Sequence, residues 1–321
     1  MPRVLVTGSA GQIGAELVPH LRSLYGKDNV VAAIHKASGG LSLRDGPVVN
    51  LDTGDAEAVA GAIREFKVDT VYHLAAVLSA TGEKDPTLAW RVNMDGLRHV
   101  LEGAKANGVG KVFWPSSIGA FGPDALRTNA PQNSPLNPTT IYGVTKVAGE
   151  LLCNYYFVKY GLDVRILRYP GLISNVAPPG GGTTDYAVEI FYAAIQKGSY
   201  VCYLREDTVL PMMYMPDALK ATARIMEAEP KNVPRHLGYN LAAMSFSAGE
   251  LAAEIHKHIP GFKVSYSPDQ RQKFADSWPM SIDDSEARRD WGWKYDYDLQ
   301  RMVADMLTKL RPRLAVEGKG V

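Results

Sequence analysis

Cysteine is scarce in this chain of 321 residues. Cys153 and Cys202 stand alone and far apart, too few for a disulfide framework or a zinc cluster, so a reducing, cytoplasmic setting and no metal are expected. Charge of one sign is lacking too. Thirty-five Lys and Arg against 34 Asp and Glu leave a net +1. No basic stripe tracks a phosphate backbone, so no nucleic-acid partner is expected. No apolar run approaches the ~20 residues of a bilayer crossing, so no membrane partner is expected either. With a first strand expected from Arg3, no leader segment is expected. What is present is 46% hydrophobic beside 21% charged residues. That is the balance of a globular chain with a substantial core, long enough for one large or two ordinary domains.

Val4-Leu5-Val6 reads as a strand, and Ile13, Leu17, Leu21 and Leu24 as the apolar stripe of a following helix. Residues 30–34 form a continuous apolar run, the mark of a strand buried on both faces. Further strands are expected at 48–49, 68–73, 109–114 and 164–167. Helices through Val59, Ile63 and Phe66, through Asn93 and Val100, and over 139–160 separate them. This alternation predicts βαβ units: an α/β fold built on a doubly wound parallel Rossmann sheet. After Arg168, Pro170, Gly171 and the run Pro178-Pro179-Gly180-Gly181-Gly182 break the pattern, and shorter elements follow. Residues 1–170 are expected to form the dinucleotide-binding domain. Residues 171–321 are expected to form mostly a smaller α/β substrate lobe, interleaved with elements returning to the sheet.

Gly8-x-x-Gly11-x-x-Gly14, enclosing Gln12 and Ile13, falls where the first strand meets the first helix. Glycines there permit a tight turn, close approach of backbone to pyrophosphate and close helix–strand packing, with the helix N-terminus facing the phosphates. The acid that usually ends the second strand is missing, and Ile34-His35-Lys36 stands in its place. His35 and Lys36 read either as partners of a 2′-phosphate, favouring NADP, or as a solvated strand end with the ribose held by backbone groups. Leu51 and Asp52, ending the third strand, are candidates for the adenine edge, or Asp52 is a plain turn residue.

Tyr142-Gly143-Val144-Thr145-Lys146 puts a phenol and an ammonium one turn apart on one helix face. A nearby cation favours the phenolate, so Lys146 is expected to lower Tyr142 from its ordinary ~10 towards a workable base and to donate to the nicotinamide ribose. Ser117 ends a buried strand 25 residues earlier, where its hydroxyl either meets the reacting oxygen or caps the strand. Gly180-Gly181-Gly182-Thr183-Thr184-Asp185 enters a helix, its amides and hydroxyls suited to an anion or to capping. Ser79 offers a further hydroxyl, and Trp278 either covers a pocket or fills a core. His35, His73, His99, His236, His256 and His258 are scattered, so no metal site is expected.

Together these residues resemble the extended branch of the short-chain dehydrogenase/reductase superfamily. The glycine triplet, Tyr72-His73-Leu74-Ala75-Ala76, Asn93-Met94-Asp95-Gly96, Ser117 and Tyr142-x-x-x-Lys146 stand in that order. Within the branch, residues 115–123, 168–174, 180–187, 211–218 and 276–279 are similar to the short-chain L-threonine 3-dehydrogenases. The resemblance implies an oxidoreductase of threonine catabolism that oxidises the 3-hydroxyl of L-threonine to 2-amino-3-oxobutanoate with NAD. It implies Tyr142, Lys146 and Ser117 as catalytic residues. It places Leu74, Ala75, Ala76, Asn93 and a nicotinamide shelf of Tyr169, Pro170, Gly171 and Leu172 at the cofactor. Ser79, Ser116, Gly182, Thr183, Thr184, Asp185 and Trp278 fall on the substrate side, and relatives pair as homodimers through two long helices. Strand two departs from that pattern, with Ile34 where the relatives carry an aspartate. Two rivals stand beside this reading: a sugar-nucleotide epimerase or dehydratase, and a cofactor-binding regulator without chemistry. Lys197 is the only cation between Pro178 and Leu204, which suits a small ligand better than a nucleotide diphosphate.

Overall fold

A computed structural model describes residues 1–35 and 43–317. β1 (Val4–Thr7) leads into α1 (Gly14–Tyr25), β2 (Val30–Ile34), β3 (Val48–Asn50), α2 (Ala56–Glu65) and β4 (Thr70–His73). α3 (Ser79–Gly82), α4 (Pro86–Trp90) and α5 (Gly96–Ala106) precede β5 (Lys111–Ser117); α6 (Ile141–Tyr160) precedes β6 (Asp163–Tyr169) and β7 (Gly171–Ile173). The remaining elements are α7 (Tyr186–Gln196), β8 (Ser199–Cys202), β9 (Val209–Tyr214), α8 (Met215–Glu227), β10 (Tyr239–Asn240), β11 (Met244–Ser247), α9 (Ala248–His258), β12 (Lys263–Tyr266), α10 (Arg271–Asp276), α11 (Ser285–Trp291) and α12 (Leu299–Glu317).

Seven parallel strands pair in the order β3-β2-β1-β4-β5-β6-β10. Strand alternation splits the apolar residues between two cores. Val4, Val6, Val30 and Ala32 meet Leu17 and Leu21 of α1 and Ala218 of α8. Leu5, Val31 and Val71 meet Val59 and Ile63 of α2 and Leu97 and Leu101 of α5. Leu24, expected in the stripe of α1, is instead exposed in its last turn. The strand order reverses between β1 and β4, and the crevice beyond their carboxyl ends is where an open α/β sheet takes its ligand.

The helices start where short polar side chains replace missing partners. Asp55 accepts from the Ala58 N–H ahead of α2, and Thr140 accepts from Gly143 ahead of α6. Gly161, at φ +70°, lets the chain leave α6 in a left-handed turn. The helix expected through Asn93 is not continuous. Arg91–Asp95 forms a π-helical turn between α4 and α5, a geometry that sets one residue out of register and frequently marks a functional site.

A third core packs Phe191 and Ile190 of α7 with Leu210, Met302 and Met306. β7, β9 and β11 make one small sheet, β8 and β12 another. In the main sheet β10 pairs with β6, Tyr239 opposite Leu167. A single bridge between Ala130 and Ile282 ties the loop after β5 to the C-terminal third.

Candidate active site

Two cavities, both walled by Leu74 and Ala76, occupy the crevice. The first, of about 1150 Å³, lies at the β1–α1 turn. Gly8 sits at φ +68°, and a Cβ there would fall 2.6 Å from the Ala75 nitrogen, so only glycine fits the turn. Gly8, Gly11, His35, Leu51, Asp52, Leu74, Ala75 and Ala76 line this cavity. His35 Nε2 stands 3.7 Å from Asp52 Oδ2. Lys36 lies outside the described residues. Gly14 serves packing instead, since a Cβ on it would come within 2.4 Å of the Gly8 oxygen. Asn93, expected at the cofactor, lines neither cavity. Its Oδ1 accepts from Val77 N–H at 2.8 Å, and its Nδ2 donates to the Val77 oxygen and Thr145 Oγ1, both at 3.1 Å. It is a clip holding the segment after β4 against α6. Thr53, Gly54 and Arg91 also line this wall and were not foreseen. An Asx turn, Gly54 N–H to Asp52 Oδ1, was the available signal for two of them.

The second cavity, of about 740 Å³, gathers Gln12, Ile13, Ser79, Ser116, Ser117, Tyr142, Lys146, the Tyr169-Pro170-Gly171-Leu172 shelf, Gly182, Thr183, Thr184, Asp185 and Trp278. Tyr142 and Lys146 share a face of α6, and Gly119 admits the tyrosine ring, since a Cβ there would stand 3.0 Å from it. The lysine does not do what spacing alone suggested. Its ammonium donates to the Pro115 oxygen at 2.5 Å and sits 4.5 Å from the Trp114 ring centre and 5.4 Å from that of Tyr142. Burial lowers it to about 7. Burial likewise holds the Tyr142 phenol above its ordinary value, and the influence opposing it is a hydrogen bond with Ser117 rather than the lysine.

Behind this pair lies His73, fully buried, its Nδ1 2.7 Å from Thr7 Oγ1 and its Nε2 without a partner. Burial first and the Lys146 charge second hold the imidazole down to about 3. The unfolded chain takes up that proton near its ordinary 6.5, so stability rises with pH between about 3 and 6.5 and is lost on acidification, by up to ~1.4 kcal/mol per unit. Urea midpoints measured from pH 6.5 to 4.5 are expected to fall more steeply for the wild type than for His73→Asn. Equal slopes would remove His73 as the cause.

At the other end, Ser79 Oγ and Thr183 Oγ1 meet at 3.2 Å. The amides of Gly180, Gly181 and Gly182, expected to be free for an anion, are already taken: all three donate to Asp185 Oδ2 at 2.8, 2.8 and 2.9 Å. The carboxylate shapes the loop, and burial raises it although the three amides pull the other way. Trp278 is buried, lines the cavity, and is held through its carbonyl by Arg127.

Below the floor is a polar cluster that sequence reading missed. Ser116 Oγ donates to Glu150 Oε1 at 2.5 Å. Arg168 Nε and Nη2 donate to the two oxygens of Glu150 at 2.8 and 2.7 Å. Arg168 Nη1 also reaches the Gln132 oxygen and Asn240 Oδ1, so β6, β10, α6 and the loop after β5 meet in one network. Elsewhere, among the described residues, no group of three or more His, Cys, Asp or Glu is placed to hold a metal ion. No helix among them is long and apolar enough to cross a membrane.

Residues 4–242 match the model of the NAD dependent epimerase/dehydratase family. The chain is 49% identical to an uncharacterised epimerase/dehydratase of Staphylococcus haemolyticus, over 98% of this chain and 99% of the relative. Among solved structures it is similar to a GalE-like L-threonine dehydrogenase from Cupriavidus necator, at TM-score 0.93 and 48% identity, covering 96% of this chain and 100% of that one. It is equally similar to a monomeric L-threonine 3-dehydrogenase of metagenomic origin, at TM-score 0.93 and 48% identity, covering 97% and 99%.

Proposed function

The chain belongs to the NAD-dependent epimerase/dehydratase family, and from that premise we propose that it oxidises the 3-hydroxyl of L-threonine to 2-amino-3-oxobutanoate. One observation carries the reading: Tyr142, Lys146 and Ser117 share a cleft whose far end is hydroxyl-lined and whose only charged side chains, among the described residues, are Lys146 and Asp185. That suits a small zwitterion. A sugar nucleotide carries at least two phosphate charges and calls for more cations than this wall offers.

NAD fits the larger cavity because Gly8 and Gly11 leave backbone bare where a pyrophosphate approaches. We assign the cofactor to Gly8, Gly11, His35, Leu51, Asp52, Leu74, Ala75 and Ala76 at that end, and to Gln12, Ile13 and the 169–172 shelf at the other. When bound it supplies the acceptor for hydride. Tyr142 takes the hydroxyl proton. Ser117 orients the reacting oxygen, and Lys146 is assigned to the ribose hydroxyls. Ser79, Ser116, Thr183 and Thr184 hold the rest of the amino acid, with Asp185 shaping the loop and Trp278 excluding water. Incubation with NAD and L-threonine should generate the absorbance of reduced cofactor. Silence with threonine but turnover of a UDP-sugar would favour the epimerase reading.

We further assign a homodimer to the outer face of α6, where Val144, Leu151, Tyr155 and Val158 form one exposed stripe, Leu151 at 59% and Val158 at 74%. Sedimentation equilibrium is expected to give twice the 35.0 kDa chain mass, and Leu151→Glu with Val158→Glu to halve it. A wild type that sediments as a single chain removes the dimer. The two free thiols are buried, which supports a cytoplasmic setting.

A further inference from the structure

The hydroxyls of the cleft differ in where their protons go, and this gives each end of the ligand site a polarity. Ser117 Oγ accepts from the Gly119 N–H at 3.1 Å and turns its own proton to the Tyr142 phenol oxygen, at the reacting end of the cleft. Ser79 and Thr183 share one hydrogen bond at 3.2 Å; one hydroxyl spends its proton on the other, and the pair keeps one to offer. Ser116 is the reverse. Its proton is committed to Glu150 Oε1 at 2.5 Å. That carboxylate has no proton to return, because Arg168 pairs with both its oxygens and the Gly238 N–H donates to Oε2 at 3.2 Å. Both partners are buried, with side chains 3% exposed for Arg168 and 2% for Glu150, so water does not compete for the bond. Ser116 therefore has only lone pairs left for a ligand.

A 2-amino-3-hydroxy acid makes matching demands. Its carboxylate needs donors, its 3-hydroxyl gives its proton to Tyr142, and its ammonium needs acceptors of its own. Asp185, a carboxylate on the same wall, spends Oδ2 on three loop amides. Resting on the substrate reading above, we propose that Ser116 accepts a hydrogen bond from the substrate ammonium, and that Glu150 is the positioning residue that fixes Ser116 as an acceptor. The buried Glu150–Arg168 pair thus sets which functional group the cleft demands at the substrate's second carbon, without touching the substrate.

Ser116→Ala tests this with two ligands, L-threonine and (R)-3-hydroxybutanoate, which has the same carboxylate and hydroxyl but no ammonium. The KM for L-threonine is expected to rise roughly ten- to a hundredfold, the size of one hydrogen bond to a charged group, with kcat changed less than about threefold. The inhibition constant of (R)-3-hydroxybutanoate is expected to stay within about twofold. If both constants rise together, or neither moves, Ser116 is not the ammonium acceptor. Glu150→Asp keeps the charge for Arg168 while withdrawing from Ser116, and is expected to raise the threonine KM in the same direction. Adding it to Ser116→Ala should cost nothing more, and additive effects would remove Glu150 from the role. Glu150→Gln serves as second variant if the aspartate form fails to bind NAD. A wild type inert towards L-threonine overturns the substrate reading and this proposal with it. A wild type that oxidises threonine while Ser116→Ala keeps the same selectivity overturns this proposal alone.

Discussion

Tyr142→Phe is expected to lower kcat for threonine oxidation about a thousandfold, within the range of a positioned general base, while NAD affinity stays within about twofold. The substitution removes one oxygen and leaves the ring, so the packing against Gly119 and the shape of the cleft survive. Among the described residues, Tyr142 is also the only phenol lining the cavity besides Tyr169, whose hydroxyl is engaged with Thr222. Burial holds the Tyr142 phenol above its ordinary value, which fixes the sign of the pH dependence. The active form is the phenolate, its fraction grows about tenfold per pH unit below that value, and oxidation by the wild type should keep accelerating into the alkaline range. The residual rate of the phenylalanine form should be flat over the same range. Steady-state rates at saturating NAD across the pH series, with NAD titrated by tryptophan fluorescence, check both parts. A variant that retains most of its turnover displaces Tyr142 as the base.

Arg168→Met should be the most damaging substitution for stability, costing about 3–5 kcal/mol, because it strands a buried carboxylate. Methionine approximates the arginine stem in volume, so the loss is electrostatic rather than steric. Glu150 keeps the Ser116 and Gly238 donors, but it loses two charge-assisted bonds, and Gln132 and Asn240 each lose a donor. Replacing both members, Glu150→Leu with Arg168→Met, should recover part of the deficit, since an apolar pair of similar volume avoids the desolvation of two ions. Full recovery is not expected, because Ser116 and Gly238 then lack their acceptor. Urea midpoints at unchanged slope measure this. A single variant within about 1 kcal/mol of the wild type would show that the pair is not what holds these elements together.

What could be read from the sequence was what repeats locally. The alternation of apolar runs with helical stripes exposes the parallel sheet, because each strand signals its own burial within five residues. Gly8-x-x-Gly11 and Tyr142-x-x-x-Lys146 are legible for the same reason: one turn or one helical step separates residues that line the same cavity. What escaped depends on distant segments. Glu150 looks like an ordinary helix residue until Arg168, 18 positions on, and Gly238, 88 positions on, come to it. The lysine's place on the Pro115 carbonyl follows from how β5 runs beneath α6, and no spacing in α6 reports that. Asp185 and the glycine amides lie within five residues of each other, yet a cap and a ligand site share one local signature. Asn93 was placed at the cofactor by resemblance, whereas the π-helical turn at Arg91–Asp95 carries it and its amide grips Val77.

The last strand of the main sheet has a consequence for biosynthesis. Tyr169, ending β6, is followed only about 70 residues later by Tyr239, which starts the strand beside it. At ~5–20 residues per second, a ribosome needs on the order of 4–14 s to deliver that neighbour. During that interval the nascent chain up to β6 carries an open hydrogen-bonding edge and Glu150–Arg168 without its Gly238 and Asn240 partners. The half that looks autonomous from its motifs is finished only by a segment made long after it.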